Sequence, residues 1–384
     1  MISKPSKIQH LIYANQSFAL ELFRQLQPGA GNLFFSPHSL SVALGMTYAG
    51  ARRRTAEQMA AALHFDLKPE QLFPAFAALN ARLTSLQQEG LHLSEANSIW
   101  PHRGYPLRAD FIENLEQNFG VSVTPVDYVT QAEAARQMIN AWVEERTAHK
   151  IIELIKSGVL DALTRLVLVN AIYFKGAWLD PFDPARTRQQ PFWLSAHEQQ
   201  PVPMMGRSGS YPYARVEGAQ LLELPYLGEQ LALLVILPDQ KDGLPELQTR
   251  LTQPNLENWL GGLRRTEVSL SLPRYKLTSS FRLDAVLKNL GMTDAFDPTR
   301  ADFSGMTDDP VGLFISAAIH QAFIEVNEEG SEAAAATAVV MSLRSMPQPP
   351  VPFKADHPFI FLIRERESGA ILFLGQVLDP VGQE

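Results

Sequence analysis

Residues 328–350 read EEGSEAAAATAVVMSLRSMPQPP. Glu328, Glu329 and Gly330 lead into Ser331, Glu332 and four consecutive alanines, Ala333, Ala334, Ala335 and Ala336. Thr337, Ala338, Val339, Val340 and Met341 follow, then Ser342-Leu343-Arg344-Ser345, then an exit through Pro347, Pro349, Pro350 and Pro352. Proline has no N–H to give and fixes its own φ, so the exit is neither helix interior nor central strand. An extended, exposed segment is expected there. The first half pulls two ways, since alanine favours helix and Val-Val-Met favours strand. A period of two makes sense of it. One face then carries Ser331, Ala333, Ala335, Thr337, Val339, Met341 and Leu343, small at the start and apolar toward the end. All of these could enter a core, so the stretch is readable both as a loop and as a buried strand.

Outward from this stretch the chain is helical first and strand-rich later, an α+β layout. A helical stripe over 8–27 passes through Leu11, Phe18, Leu22 and Leu26. Ser36 is placed as an N-cap with Pro37 at the first helical position, and Thr55-Ala56-Glu57-Gln58 reads as a capping box. Helical patterns also cover 69–88 and the stretch from about 131 to 144. Strand patterns cover 91–100, 166–174, 222–225, 231–237 and 268–273. A helix is expected over 281–290, stopped by Gly291. A strand over 313–326 runs straight into Glu328. Residues 359–363 and 370–374 form an apolar hairpin around Glu367-Ser368-Gly369. The near-continuous apolar run over 166–174 predicts a strand buried on both faces, so its lone Asn170 needs hydrogen-bond partners. His320 reads as another core group, and Met204 and Met205 as core.

The sequence has 384 residues, 46% hydrophobic and 19% charged, an ordinary globular balance able to bury a sizeable core. A net charge of −8 argues against nucleic-acid and anionic-membrane partners. The absence of cysteine excludes disulfides and thiol chemistry and leaves the redox compartment open. The first eighteen residues lack a continuous apolar stretch, so no secretory signal is read there. As it stands the sequence reads as cytoplasmic, or as extracellular or periplasmic if a precursor segment was removed. The longest aliphatic run, 231–237, is too short to span a bilayer. Asn15-Gln16-Ser17 is a glycosylation triplet.

Searching for catalysis yields little. No Gly-x-Ser-x-Gly elbow occurs, and Gly206-Arg207-Ser208-Gly209 reads as a turn. The nine histidines form no ligand-spaced cluster, so no metal is expected. No phosphate loop or dinucleotide fingerprint is present, and no cofactor is expected. The chain reads as an inhibitor or binding protein rather than an enzyme.

The 328–350 stretch resembles the hinge and reactive loop of the serpins, the serine protease inhibitors. The family's hinge pattern is matched by Glu328, Gly330, Ser331, Glu332, Ala333, Ala334 and Thr337, with Ala335 and Ala336 inside it. The C-terminal signature is matched by Phe353-Lys354-Ala355-Asp356-His357-Pro358-Phe359. Further matches extend the resemblance from about Phe18 to Pro380. It implies a single serpin domain over 1–384, with helices packed around three β-sheets and a hinge and exposed loop at about 328–352. It also implies that Ser36, Ser39, Asn170, His320 and Trp178 belong to the region where the main sheet opens.

In that family the loop is bait. A serine protease is acylated by it, the cut loop inserts as an added strand, and a covalent complex results. Insertion is an example long used for strand addition and strain release. Family spacing places the attacked residue fourteen positions after the hinge glycine, here from Gly330 to Arg344. Arg344-Ser345 as the reactive bond suits a trypsin-like pocket with its buried aspartate. A shift of one position would expose Leu343 and suit a chymotrypsin-like target. The resemblance leaves open a non-inhibitory serpin that acts as a binding protein or chaperone. A monomer is expected. Heparin is not expected to bind, because the 69–88 region offers mainly Arg82, with Glu70 and Glu89 nearby.

Overall fold

Ser6 starts the first helix, Lys7–Leu26, through a complete capping box with Gln9 in a computed structural model of the chain. The structure describes residues 5–27, 31–121, 123–309, 312–331 and 349–382. The second helix, Pro37–Gly50, begins as the sequence predicts. Ser36 is its N-cap, accepts from the Ser39 N–H, and is followed by Pro37. This helix is buried almost all round, the signature of a central core helix rather than a surface one. Arg53–Ala62, Pro69–Ser85, Ala109–Phe119 and Tyr128–Arg146 follow.

Two hydrogen-bonded strand networks complete the described residues. The smaller has the order Leu91–Pro101, Leu166–Ala177, Gly330–Ser331, Ile315–Val326, Tyr275–Arg282. The larger has nine strands, so the described residues form two networks where the resemblance implied three sheets. Its continuity comes from one long strand, Gln199–Val216. That strand pairs with Arg188–Trp193 at its start, with Arg264–Pro273 along its middle and with Ala219–Pro225 at its end. The apolar hairpin is borne out as Phe359–Glu365 paired with Ile371–Val377, and it lies in the main core.

Four local expectations are corrected. Gly206 to Gly209 is no turn but mid-strand, in register with Val268 to Ser271. Phe281 belongs to the strand Tyr275–Arg282, whose Tyr275, Leu277 and Ser279 are buried while Lys276, Thr278 and Ser280 are exposed. That period of two is a strand signal, and the helix is only Asp284–Asn289. Thr55 and Gln58 form no capping box, because the N-cap of their helix is Arg52. Their side-chain oxygens instead accept from the N–H groups of Asp302 (2.9 Å) and Asp294 (2.7 Å). Asn15 is buried and accepts from the Ser41 hydroxyl at 2.6 Å, so the folded chain cannot present it for glycosylation.

A second, smaller core lies under the helix Tyr128–Arg146. Ile139 and Val143 of the helix meet Trp100, Val167, Val169 and Ile319 of the five-stranded sheet there. The helix thus covers the strands Leu166–Ala177 and Ile315–Val326, whose junction organises the site described next.

Candidate functional site

These two strands run parallel and are zipped together from Leu166 opposite Ile315 to Tyr173 opposite Phe323. Both are nearly continuous apolar sequences buried on both faces. Their two buried polar side chains, Asn170 and His320, stand opposite each other in register. His320 is fully buried, and its Nδ1 meets Asn170 Oδ1. Its Nε2 accepts from the Ser36 backbone N–H at 3.2 Å. Only the neutral tautomer with the proton on Nδ1 satisfies both contacts. Burial pushes the imidazole pKa down to about 3, consistent with that neutral form.

Asn170 donates to Ser39 Oγ at 2.6 Å and to Asn97 Oδ1. Ser39 also donates to Asn97 Oδ1, at 2.9 Å, and Ser36 Oγ donates to the Leu372 carbonyl at 2.6 Å. Asn97 hands the network on to Glu95 at 3.1 Å. Burial pushes the Glu95 carboxyl up to about 7, and the imidazole of neighbouring His38 down to about 4. The structure therefore brings Ser36, Ser39, Asn170 and His320 into one hydrogen-bonded cluster across the seam of the sheet. It does not bring Trp178 there. Trp178 lies eight residues along the strand, about 25 Å away at the rise of an extended chain, beside the hinge.

Beyond Tyr173 and Phe323 the seam is split. Gly330–Ser331 sits between the strands and runs antiparallel to both, with Ser331 opposite Gly176 on one side and Val326 on the other. Glycine is required at 330, because its φ is +152° and a Cβ would stand 2.0 Å from the Gly176 carbonyl oxygen. Ser331 is fully buried and shares a 2.8 Å hydrogen bond with the Tyr226 hydroxyl. Burial pushes that phenol well above its ordinary value. Tyr226 stacks on Trp178 at 4.7 Å, and Trp178 Nε1 donates to the Asn327 carbonyl at 3.0 Å.

Glu328 is buried, and Arg274 Nε contacts its two oxygens at 2.7 and 2.6 Å. Thr187 also donates to it. Burial alone would raise the Glu328 carboxyl, but these donors outweigh it and hold the group below the usual carboxylate range. The first residues of the hinge are thus anchored by charge at Glu328, by backbone fit at Gly330 and by a hydroxyl pair at Ser331. Glu332, Ala333, Ala334, Ala335, Ala336, Thr337, Leu343, Arg344 and Ser345 lie outside the described residues.

Asn97 gave no signal of the kind that marked Asn170, because its strand also carries His92, Ser94, Glu95 and Ser98 and is not an apolar run. Tyr226, Arg274, Thr187 and Asn327 had no local signal, since their roles come from cross-chain packing. Among the described residues no three His, Asp or Glu side chains are grouped to hold a metal ion. Arg82 is occupied by Glu367 at 2.8 Å and Glu365 at 3.2 Å, linking its helix to the C-terminal hairpin.

A profile of the family Serpin (serine protease inhibitor) matches residues 13–380. The chain is 41% identical to the leukocyte elastase inhibitor of Sus scrofa, over 97% of this chain and 100% of that protein. Among solved structures, uncleaved ovalbumin matches with a TM-score of 0.87 at 28% identity, covering 98% of this chain and 100% of the other. Serpin48 of the insect Tenebrio molitor, described as a highly specific serpin, matches with a TM-score of 0.87 at 33% identity over 99% of both chains. With the family profile spanning nearly the whole sequence and full-length relatives on either side, the chain belongs to the serpin family of serine protease inhibitors.

Proposed function

We propose that the protein inhibits trypsin-like serine proteases as a suicide substrate, with Arg344 as the specificity residue and Arg344-Ser345 as the attacked bond. The protease serine Oγ adds to the Arg344 carbonyl carbon. The Arg344–Ser345 peptide bond breaks, the Ser345 amine leaves with the proton delivered by the protease histidine, and an Arg344 ester to the enzyme remains. Residues 332–344 then follow Ser331 into the five-stranded sheet between Leu166–Ala177 and Ile315–Val326, carrying the tethered enzyme along. No cofactor takes part, and the inhibitor acts as a monomer.

The observation that supports this reading is the Gly330–Ser331 pair, already wedged between those two strands in the antiparallel sense insertion requires. Arg344 is the sole basic residue between Gln321 and Pro352, which favours it as the residue read by an acidic pocket. A second reading places Leu343 in the enzyme's pocket, and the relatives named leukocyte elastase inhibitor favour that alternative.

The test mixes purified protein with trypsin, chymotrypsin and leukocyte elastase and looks for a complex that survives SDS. Trypsin should give the complex, and Arg344→Ala should abolish it without changing the melting temperature. A complex with elastase or chymotrypsin alone would move the specificity residue to Leu343. Cutting without any complex would replace inhibition by the binding-protein reading.

A further inference from the structure

The last zipped pair of the seam, Tyr173 opposite Phe323, is roofed by a cation. Lys150 Nζ lies 5.9 Å from the Tyr173 ring centroid and 5.8 Å from that of Phe323. The two rings are themselves 6.0 Å apart, and each belongs to a different strand of the seam. Lys150 belongs to neither. Its N–H bonds to the Thr147 carbonyl at 3.0 Å, and that of His149 to Glu144 at 2.9 Å, so it hangs from the end of the helix Tyr128–Arg146. The next residue, Ile151, is fully buried in the small core with Ile139 and Val143. Lys276 Nζ lies 5.2 Å from the same Phe323 ring, but its strand, Tyr275–Arg282, is hydrogen-bonded to Phe323's own strand.

We propose that Lys150 is a clasp across the seam, holding Tyr173 and Phe323 together through one ammonium and resisting the separation of the two central strands immediately below Gly330–Ser331. A cation over an aromatic face is attracted within about 6 Å of the centroid. Adding a strand moves the rings apart by one strand spacing, about 4.8 Å. At its present height above the sheet the ammonium then lies beyond that range of at least one ring. Lys276 travels with Phe323 and loses nothing. Lys150 thereby sets how readily the seam opens, and its bearing on inhibition rests on the loop-insertion reading given above.

The test compares amide hydrogen exchange in 167–173 and 319–323 for wild type, Lys150→Gln, Lys150→Arg and Lys276→Gln at pH 7. Lys150→Gln should speed exchange of these amides roughly three- to tenfold, the effect expected when one cation is lost from two ring faces. Lys276→Gln should change it less than twofold, and Lys150→Arg should restore the wild-type rate because guanidinium also binds ring faces. Equal acceleration by the two glutamine variants, no acceleration by Lys150→Gln, or failure of Lys150→Arg to restore the rate would each overturn the clasp. This readout does not depend on a protease. Faster exchange in Lys150→Gln with no trypsin complex in wild type would sink the proposed function and leave the clasp standing. A normal complex with unchanged exchange would sink the clasp alone.

Discussion

His320→Gln should remove a defined part of the protein's sensitivity to acid. In the fold the imidazole is neutral, with Nδ1 toward Asn170 Oδ1 and Nε2 accepting from Ser36 N–H. A glutamine amide can offer the same donor and acceptor without titrating. The folded pKa is about 3, against 6.5 for the free group. Below pH 6.5 the unfolded chain therefore takes up a proton that the fold refuses, and stability falls as pH falls through this window. At 1.36 kcal/mol per unit, the loss from His320 reaches about 2 kcal/mol by pH 5. His38, lowered to about 4, pulls the same way. Glu95 opposes them. Its raised value, about 7, gives a contribution that is full below pH 4.5 and is lost as pH rises toward 7. The slope of the wild type alone mixes all three, so the difference between wild type and His320→Gln is the quantity to measure. Urea unfolding at pH 7 and pH 5 should show the advantage of wild type over the variant shrinking by about 2 kcal/mol. An advantage that stays constant across this range would mean that His320 is not held neutral by burial.

Gly330→Ala should push the hinge out of the seam, because its Cβ would meet backbone at Gly176 O (2.0 Å) and at Ala177 Cα (2.7 Å). The lost Ser331–Tyr226 bond and the disfavoured φ together put the cost at about 1–3 kcal/mol. An unchanged melting temperature with unchanged Trp178 fluorescence would contradict the fit described here. Heparin should leave the rate of trypsin inhibition within twofold at physiological salt, since Arg82 is occupied by Glu365 and Glu367. A tenfold, salt-sensitive acceleration would reveal a basic surface assembled from distant parts of the chain.

Much of this was legible in the sequence where one local rule applied. Ser36-Pro37 gave a helix start, and the lone Asn170 in an apolar run demanded partners that the structure supplies. The alternation from Ser331 onward also marked a residue that is found fully buried at the top of the sheet. The local rules failed where tertiary packing decided. Thr55 and Gln58 have the spacing of a capping box, but their oxygens serve the backbone at Asp302 and Asp294, more than 200 residues away. The helix stripe over 281–290 competed with a strand alternation starting at Tyr275, and pairing with Ile315–Val326 fixed the outcome. Arg274 looked like any surface arginine, and only the fold shows that it neutralises a buried hinge carboxylate.

The registers at the top of the sheet say what insertion would have to do at the polar cluster. Ser331 stands opposite Gly176 on one strand and Val326 on the other. If this short strand were extended in the register with which it starts, each further residue would step one position down both neighbours. Six steps bring Thr337 opposite Asn170 on one side and His320 on the other. Parting the strands breaks the Asn170–His320 contact, and a buried polar group left without a partner costs about 1–3 kcal/mol. Thr337 arrives at that level with a hydroxyl that can both donate and accept. The alanines before it bring no polar side chain to the apolar levels at Ala171, Ile172 and Phe174. One parallel ladder is exchanged for two antiparallel ones, the slightly stronger kind per residue. On the proposed mechanism, the order small, small, hydroxyl at Ala333, Ala335 and Thr337 is therefore set by the seam it enters. It supplies hydrogen-bonding capacity at the one level where opening the sheet takes it away.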